Sequence, residues 1–201
     1  MACNHDTAFD GMSRSYRRAL YWVLALNAGM FVIEMGAGAW SGSRALQADA
    51  LDFLADSFTY ALSLWVIGRP LAWRARAALV KGLSLLLIGA WVLVTAMLDV
   101  LGEHSPEAHV MGLVGLMALT ANVVSALILL RWRDGDANVR SVWLCSRNDA
   151  IGNVAVLVAA ALVWWLGSGW PDLVVALFMA SLFLHSAGLI LRQALRELRS
   201  A

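Results

Sequence analysis

The chain has 201 residues, of which 61% are hydrophobic and 14% charged, with a mean hydropathy of +0.70. A water-soluble domain of that length exposes far more charge and has shorter apolar runs, so the composition excludes that class. The net charge of +1 gives no basic surface for nucleic acid, and two cysteines, Cys3 and Cys145, are too few for a disulfide framework.

Residues 1–16 form a polar tail, expected to be cytoplasmic and disordered although it holds Cys3, His5 and Asp6. The apolar run that follows is too long for the core of a cleavable leader, so the first span is expected to remain in the mature protein. Crossing a bilayer takes about 20 mostly apolar residues. Six stretches qualify: Ala19–Trp40, Ala45–Ile67, Ala78–Leu101, Ala108–Leu130, Val142–Leu166 and Leu173–Leu191. Turn-forming residues separate them: Ser41-Gly42-Ser43, Gly68-Arg69-Pro70, Ser105-Pro106, Asp134-Gly135-Asp136 and the stretch from Gly167 to Pro171. A barrel would instead need alternating strands of about 10 residues. The expected fold is an all-α integral membrane bundle of six transmembrane helices over residues 17–196, with 197–201 as a short C-terminal tail.

Fourteen arginines and one lysine set the orientation. Arg14, Arg17 and Arg18 precede the first span. Arg69, Arg74, Arg76 and Lys81 lie between the second and third, Arg131, Arg133 and Arg140 between the fourth and fifth, and Arg192, Arg196 and Arg199 after the sixth. Arg44 alone lies on the other side. This bias places both termini in the cytoplasm. The richness in arginine, alanine and glycine points to a GC-rich bacterial genome, hence to a bacterial inner membrane.

The second span breaks the apolar pattern with Asp49, Asp52 and Asp56. Their spacing of three and then four puts all three carboxylates on one helical face. Each costs about 2.5–3.5 kcal/mol to insert, and such residues usually serve a function. The fifth span carries Cys145, Asp149 and Asn153, each four residues from the next. Pairing Asp52 and Asp56 with Cys145 and Asp149 supplies O, O, S and O donors, a set suited to a tetrahedral metal ion. Asp49, Asn153 and Asn122 are accessory candidates. Carboxylates one turn apart in a low-dielectric bundle cannot all carry charge cheaply, and a metal bound there displaces protons. The cluster can therefore hold either a metal or protons, as a metal/proton antiporter requires.

A thiolate favours borderline-soft ions. Zinc is the first expectation for the transported ion, with cadmium, cobalt and iron(II) as alternatives and no cofactor besides. The remaining polar residues read more plainly. Glu34, Asn27 and Asn122 suit inter-helix packing. Asp99 and Asp172 fall at span ends with no special role, His104 and His109 flank an outer loop, and His185 is a packing residue. Arg147 either reaches the interface or tunes the site. Two other functions use the same carboxylates: a proton-coupled carrier of a small organic cation, and a membrane assembly protein that transports nothing. No His-Glu-x-x-His or Gly-x-Ser-x-Gly motif occurs, so an enzyme is not expected.

The stretch from Ser41 through Arg44-Ala-Leu-Gln-Ala-Asp49 to Asp52 and Asp56 resembles the second-span signature of the cation diffusion facilitators. The run from Cys145 through Asp149 to Asn153 looks like that family's other half-site. Asn27, Glu34, Asn122 and Trp170-Pro171-Asp172 are also similar, and the resemblance extends from about residue 17 to 196. It implies a six-helix exporter of zinc-like cations that exchanges metal for protons by alternating access, usually as a homodimer. The sequence departs from the family at Cys145, where His or Asp is usual, and in having no counterpart of the cytoplasmic ferredoxin-like domain that many members carry.

Overall fold

The computed structural model describes residues 13–66, 71–100, 105–133 and 137–200. The tail residues Cys3, His5 and Asp6, the breaks at 68–70 and 134–136, and His104 lie outside the described residues. Six helices account for most of what is described: α1 Arg14–Ser41, α2 Arg44–Val66, α3 Leu71–Val100, α4 Ala108–Leu129, α5 Ala137–Leu166 and α6 Trp170–Ser200. A short 3-10 turn, Leu130–Trp132, extends α4.

The helix ends follow from local chemistry. Ser13 caps α1 by accepting the Tyr16 amide at 3.1 Å. Gly42 ends α1 with φ of +73°, a left-handed turn that glycine adopts without a Cβ penalty. Gly167 does the same for α5 at φ of +61°, its amide reaching the Val163 carbonyl at 2.9 Å. Pro171 sits in the first turn of α6, where its missing N–H leaves no intrahelical bond unmade.

Four helices outrun their apolar stretches: α1 begins at Arg14 rather than Ala19, α3 at Leu71 rather than Ala78, α5 at Ala137 rather than Val142, and α6 runs to Ser200 rather than Leu191. Hydropathy marks the hydrocarbon layer, whereas a helix satisfies its own backbone and continues past that layer wherever polar side chains reach water.

Five helices are long and apolar enough to cross a bilayer. The exception is α2, at 23 residues long enough but carrying Arg44 and three aspartates. Its position resolves the conflict. It packs against α1, α3, α5 and α6, and every residue from Ala45 to Ala50 is buried. The charge faces protein, not lipid. Around it α3 pairs most extensively with α6, α4 with α5, and α1 with α2 and α4.

Lipid tails are as apolar as leucine, so close backbone approach rather than the hydrophobic effect holds such a bundle together. Buried alanines supply that approach: Ala96 on α3, Ala118 and Ala121 on α4, Ala159 and Ala160 on α5, and Ala176, Ala180 and Ala187 on α6. Glycines bring helices closer still. A Cβ at Gly82 of α3 would sit 2.8 Å from Leu191 Cγ on α6, and one at Gly89 would lie 3.1 Å from Leu184. Large apolar groups such as Trp22, Leu87, Leu113 and Trp165 point outward. The chain is an all-α integral membrane bundle.

Candidate functional site

The acidic face of α2 borders a cavity of about 390 Å³. Asp49, Asp52 and Asp56 line one wall, Asp149 of α5 another, and Lys81 of α3 with Phe183 of α6 the rest. The i, i+3, i+7 spacing thus brings three carboxylates to one opening, and α5 supplies the fourth.

The carboxyls of Asp52 and Asp149 lie within hydrogen-bonding reach of each other across the two helices. Two ionised carboxylates have no hydrogen to share, so this contact needs a proton, or a cation in its place, between the oxygens. Asp56 acts electrostatically on Asp52 one turn away and accepts a hydrogen bond from the Tyr60 hydroxyl. The Tyr60 hydroxyl in turn lies 3.2 Å from Ser146 Oγ on α5, and both residues are fully buried. A polar thread therefore ties Asp56 to the helix that carries Asp149.

The backbone at Cys145 lies in α5 one turn before Asp149, and the Cys145 side chain lies outside the described ones. Among the described residues no three of His, Cys, Asp and Glu converge as a preformed metal cage. The carboxylates line a cavity rather than meet at a point, as mutual repulsion dictates for like charges.

Two accessory candidates part company with the cavity. Asn153 is buried on α5 with neither amide atom hydrogen-bonded, and Asn122 is buried on α4 with an unpaired Oδ1. Neither residue lines the opening. Asp49 does, and it also meets Glu34 of α1. Glu34 is fully buried, and its oxygens find no donor because the group they face is the Asp49 carboxyl. Instead of simple packing, Glu34 extends the acidic series onto α1. Asn27, expected to bridge helices, is buried and donates its amide to the Val23 carbonyl of its own helix at 2.8 Å.

The span-end aspartates have a larger part than expected. Asp172, fully buried at the start of α6, accepts hydrogen bonds from Ser43 Oγ at 2.5 Å and from the amides of Arg44 and Ala45 at 2.7 and 3.1 Å. Asp99, near the end of α3, pairs with Arg44 at 2.6 Å. These contacts gather the start of α2 and the facing ends of α3 and α6 into one clamp. His185 is exposed on the outer face of α6 rather than packed inside, and His109 is exposed as well. Arg147 is exposed with its guanidinium 5.3 Å from the Trp143 ring, and it does not line the cavity.

Four participants were not marked by the sequence: Lys81, Tyr60, Ser146 and Asp172. Tyr60 had a signal, lying four residues beyond Asp56, and so did Lys81, the lone lysine. Ser146 had none, its partner lying 86 residues away, and Asp172 had only its place in the Trp170-Pro171-Asp172 resemblance, because the groups it accepts from are up to 129 residues away.

Comparison with known proteins agrees with this arrangement. The family model for the cation efflux transmembrane domain matches residues 20–70 and 73–199. The zinc transporter ZitB of Escherichia coli (strain K12) is 27% identical over 208 residues, covering 97% of this chain and 66% of its own length. A cadmium, cobalt and zinc/H(+)-K(+) antiporter of Bacillus velezensis is 26% identical over 204 residues, 92% of this chain and 63% of its own. The metal cation efflux system protein CzcD of Cupriavidus metallidurans is 25% identical over 193 residues, 90% and 61% respectively. The chain thus spans less than two thirds of the length of each of these relatives. With the bundle and its buried acidic cavity, these matches make the chain a member of the cation efflux family, the cation diffusion facilitators.

Proposed function

We propose that the chain exports a divalent metal cation, zinc first, from the bacterial cytoplasm across the inner membrane in exchange for protons. The observation that carries this is the Asp52–Asp149 contact, two half-buried carboxyls from different helices that face each other at the wall of a cavity. Such a contact needs a cation between its oxygens, and a proton or a metal ion serves equally. Asp52, Asp56 and Asp149 act as ligands and proton acceptors together. Cys145, one turn from Asp149, adds a thiolate that favours zinc, cadmium or cobalt over magnesium or calcium. The names of the relatives support this choice of cargo, and one of them names protons together with potassium as counter-ions.

The arginine distribution directs the proposed export away from the end where most basic residues lie. Residues 17–196 form the transport unit, and two copies pair in the membrane.

The test is transport in proteoliposomes holding a metal-sensitive dye and a pH-sensitive dye. Wild-type protein should carry zinc with an opposing pH change, while Asp52→Ala and Asp149→Ala should lose at least about tenfold in rate, as loss of a ligand does. Undiminished zinc flux in both variants removes the site assignment. Zinc flux with no pH change removes proton exchange.

A further inference from the structure

Lys81 is the only lysine in the chain, among fourteen arginines, and the structure does not leave it at a loop. It lies inside α3, half-buried, on the wall of the cavity that holds Asp49, Asp52, Asp56 and Asp149. Its ammonium acts electrostatically on Asp52. Among the described residues it takes part in no close ion pair, inside the cavity or outside it, so its charge is not held by one fixed partner. The backbone there is fixed by its neighbour: Gly82 packs so tightly on Leu191 that α3 cannot turn without disturbing α6.

We propose that Lys81 is a tethered monovalent cation that makes the site selective for divalent over monovalent ions, an inference that rests on the proposed metal site. A lysine ammonium is a compact point charge on a flexible stem, close in kind to a potassium ion, whereas a guanidinium is broad and planar. From the cavity wall the flexible stem lets the ammonium reach the carboxylates of the empty site, where a monovalent cation would otherwise go. Sodium or potassium would have to displace a charge equal to its own from a partner held at high local concentration, and gains nothing by doing so. A divalent ion brings twice the charge, wins the exchange, and sends the stem back along the cavity wall. Lys81 therefore weakens metal binding moderately while excluding the abundant monovalent ions. The plainer alternative is a lysine that merely extends its stem to the interface.

Zinc titration of the purified full chain, in low and in high potassium at constant ionic strength kept with choline, separates the two. Wild type should bind zinc with an affinity indifferent to potassium. Lys81→Met and Lys81→Gln should each bind zinc about tenfold more tightly in choline and lose that gain as potassium replaces choline, a tenfold ratio being an ordinary electrostatic effect. A gain in affinity cannot arise from a misfolded variant. Unchanged affinity in both variants, or potassium competition already present in wild type, overturns the proposal. Failure of the underlying metal site looks different: wild type then binds no zinc, or Asp52→Asn binds it as well as wild type does.

Discussion

Asp172, the third residue of α6, accepts the backbone amide of Arg44 at 2.7 Å and so caps a helix to which it does not belong. A helix start leaves four amides without intrahelical partners, and at α2 the buried carboxylate takes two of them together with the Ser43 hydroxyl. Asp172→Ala should lower stability by about 2 kcal/mol, since three donors lose their acceptor at a buried position. Asp172→Asn keeps one acceptor oxygen and should lose less. Thermal unfolding in detergent, followed by tryptophan fluorescence, reads both. Equal stability of the alanine variant and wild type would contradict the capping role.

Arg44 also pairs with Asp99, but both side chains are about one-quarter exposed. A partly solvated pair contributes little. A double-mutant cycle with Arg44→Gln and Asp99→Asn should give a coupling below about 1 kcal/mol, shrinking as salt is raised.

The glycines divide by what surrounds them. Gly38→Ala would place a Cβ 3.0 Å from the Gln47 backbone nitrogen, which cannot move aside, whereas at Gly89 the nearest atoms belong to the Leu184 side chain. Gly38→Ala should cost about 1–3 kcal/mol, the usual penalty for overpacking, and Gly89→Ala should cost less. Gly29, Gly36 and Gly152 have open space at the Cβ position, so alanine there should be tolerated. Expression and unfolding midpoints of the variants would establish the order.

Tyr60 gives a test of the polar thread. Tyr60→Phe keeps the ring that packs with Tyr16, Leu20 and Leu129 but removes the hydroxyl between Asp56 and Ser146. The fold should survive, while zinc affinity falls about 10–100-fold, the usual cost of losing a group that orients a ligand. Titration of the purified variant with zinc measures it.

Cys145 governs the proposed softness of the site. Cys145→Ser replaces a soft donor with a hard one, so cadmium should lose more affinity than zinc. The ratio of the two metals bound at equal supply, read by elemental analysis, should fall. A constant ratio would separate Cys145 from the site.

What the sequence made legible depended on distance along the chain. The Asp49, Asp52 and Asp56 stripe follows from helical spacing within one element, and the structure puts all three on the cavity wall. The apolar runs located all six helices, although they understated α1, α3, α5 and α6, because hydropathy reports lipid contact rather than helix. Pairing Asp52 with Asp149 was legible for a different reason: few buried carboxylates existed to choose from. Asp172 was legible only within the Trp170-Pro171-Asp172 resemblance; its capping role was not, because an aspartate two residues into a helix looks like any first-turn acid until its partners on α2 are seen. Glu34 read as packing because its facing carboxyl, Asp49, lies on the next helix, beyond the turn at Gly42. Lys81 was counted with the loop arginines because the charge rule weighs sign and side, not which face of a helix bears the charge.

The clamp at Arg44 has a mechanical consequence. Asp99 and Asp172 belong to α3 and α6, the two helices that Gly82 and Gly89 hold against each other, and both carboxylates grip one residue of α2. A stiff two-helix blade is thus pinned to its neighbour near a single point. Lys81 stands eighteen residues from Asp99, about 27 Å along the helix at 1.5 Å per residue. A rotation of only about 5° around the pin would sweep that part of the cavity wall through about 2 Å, by ordinary hinge geometry. Leverage of this kind turns a slight tilt, too small to unpack either helix, into a displacement as wide as a metal–ligand bond.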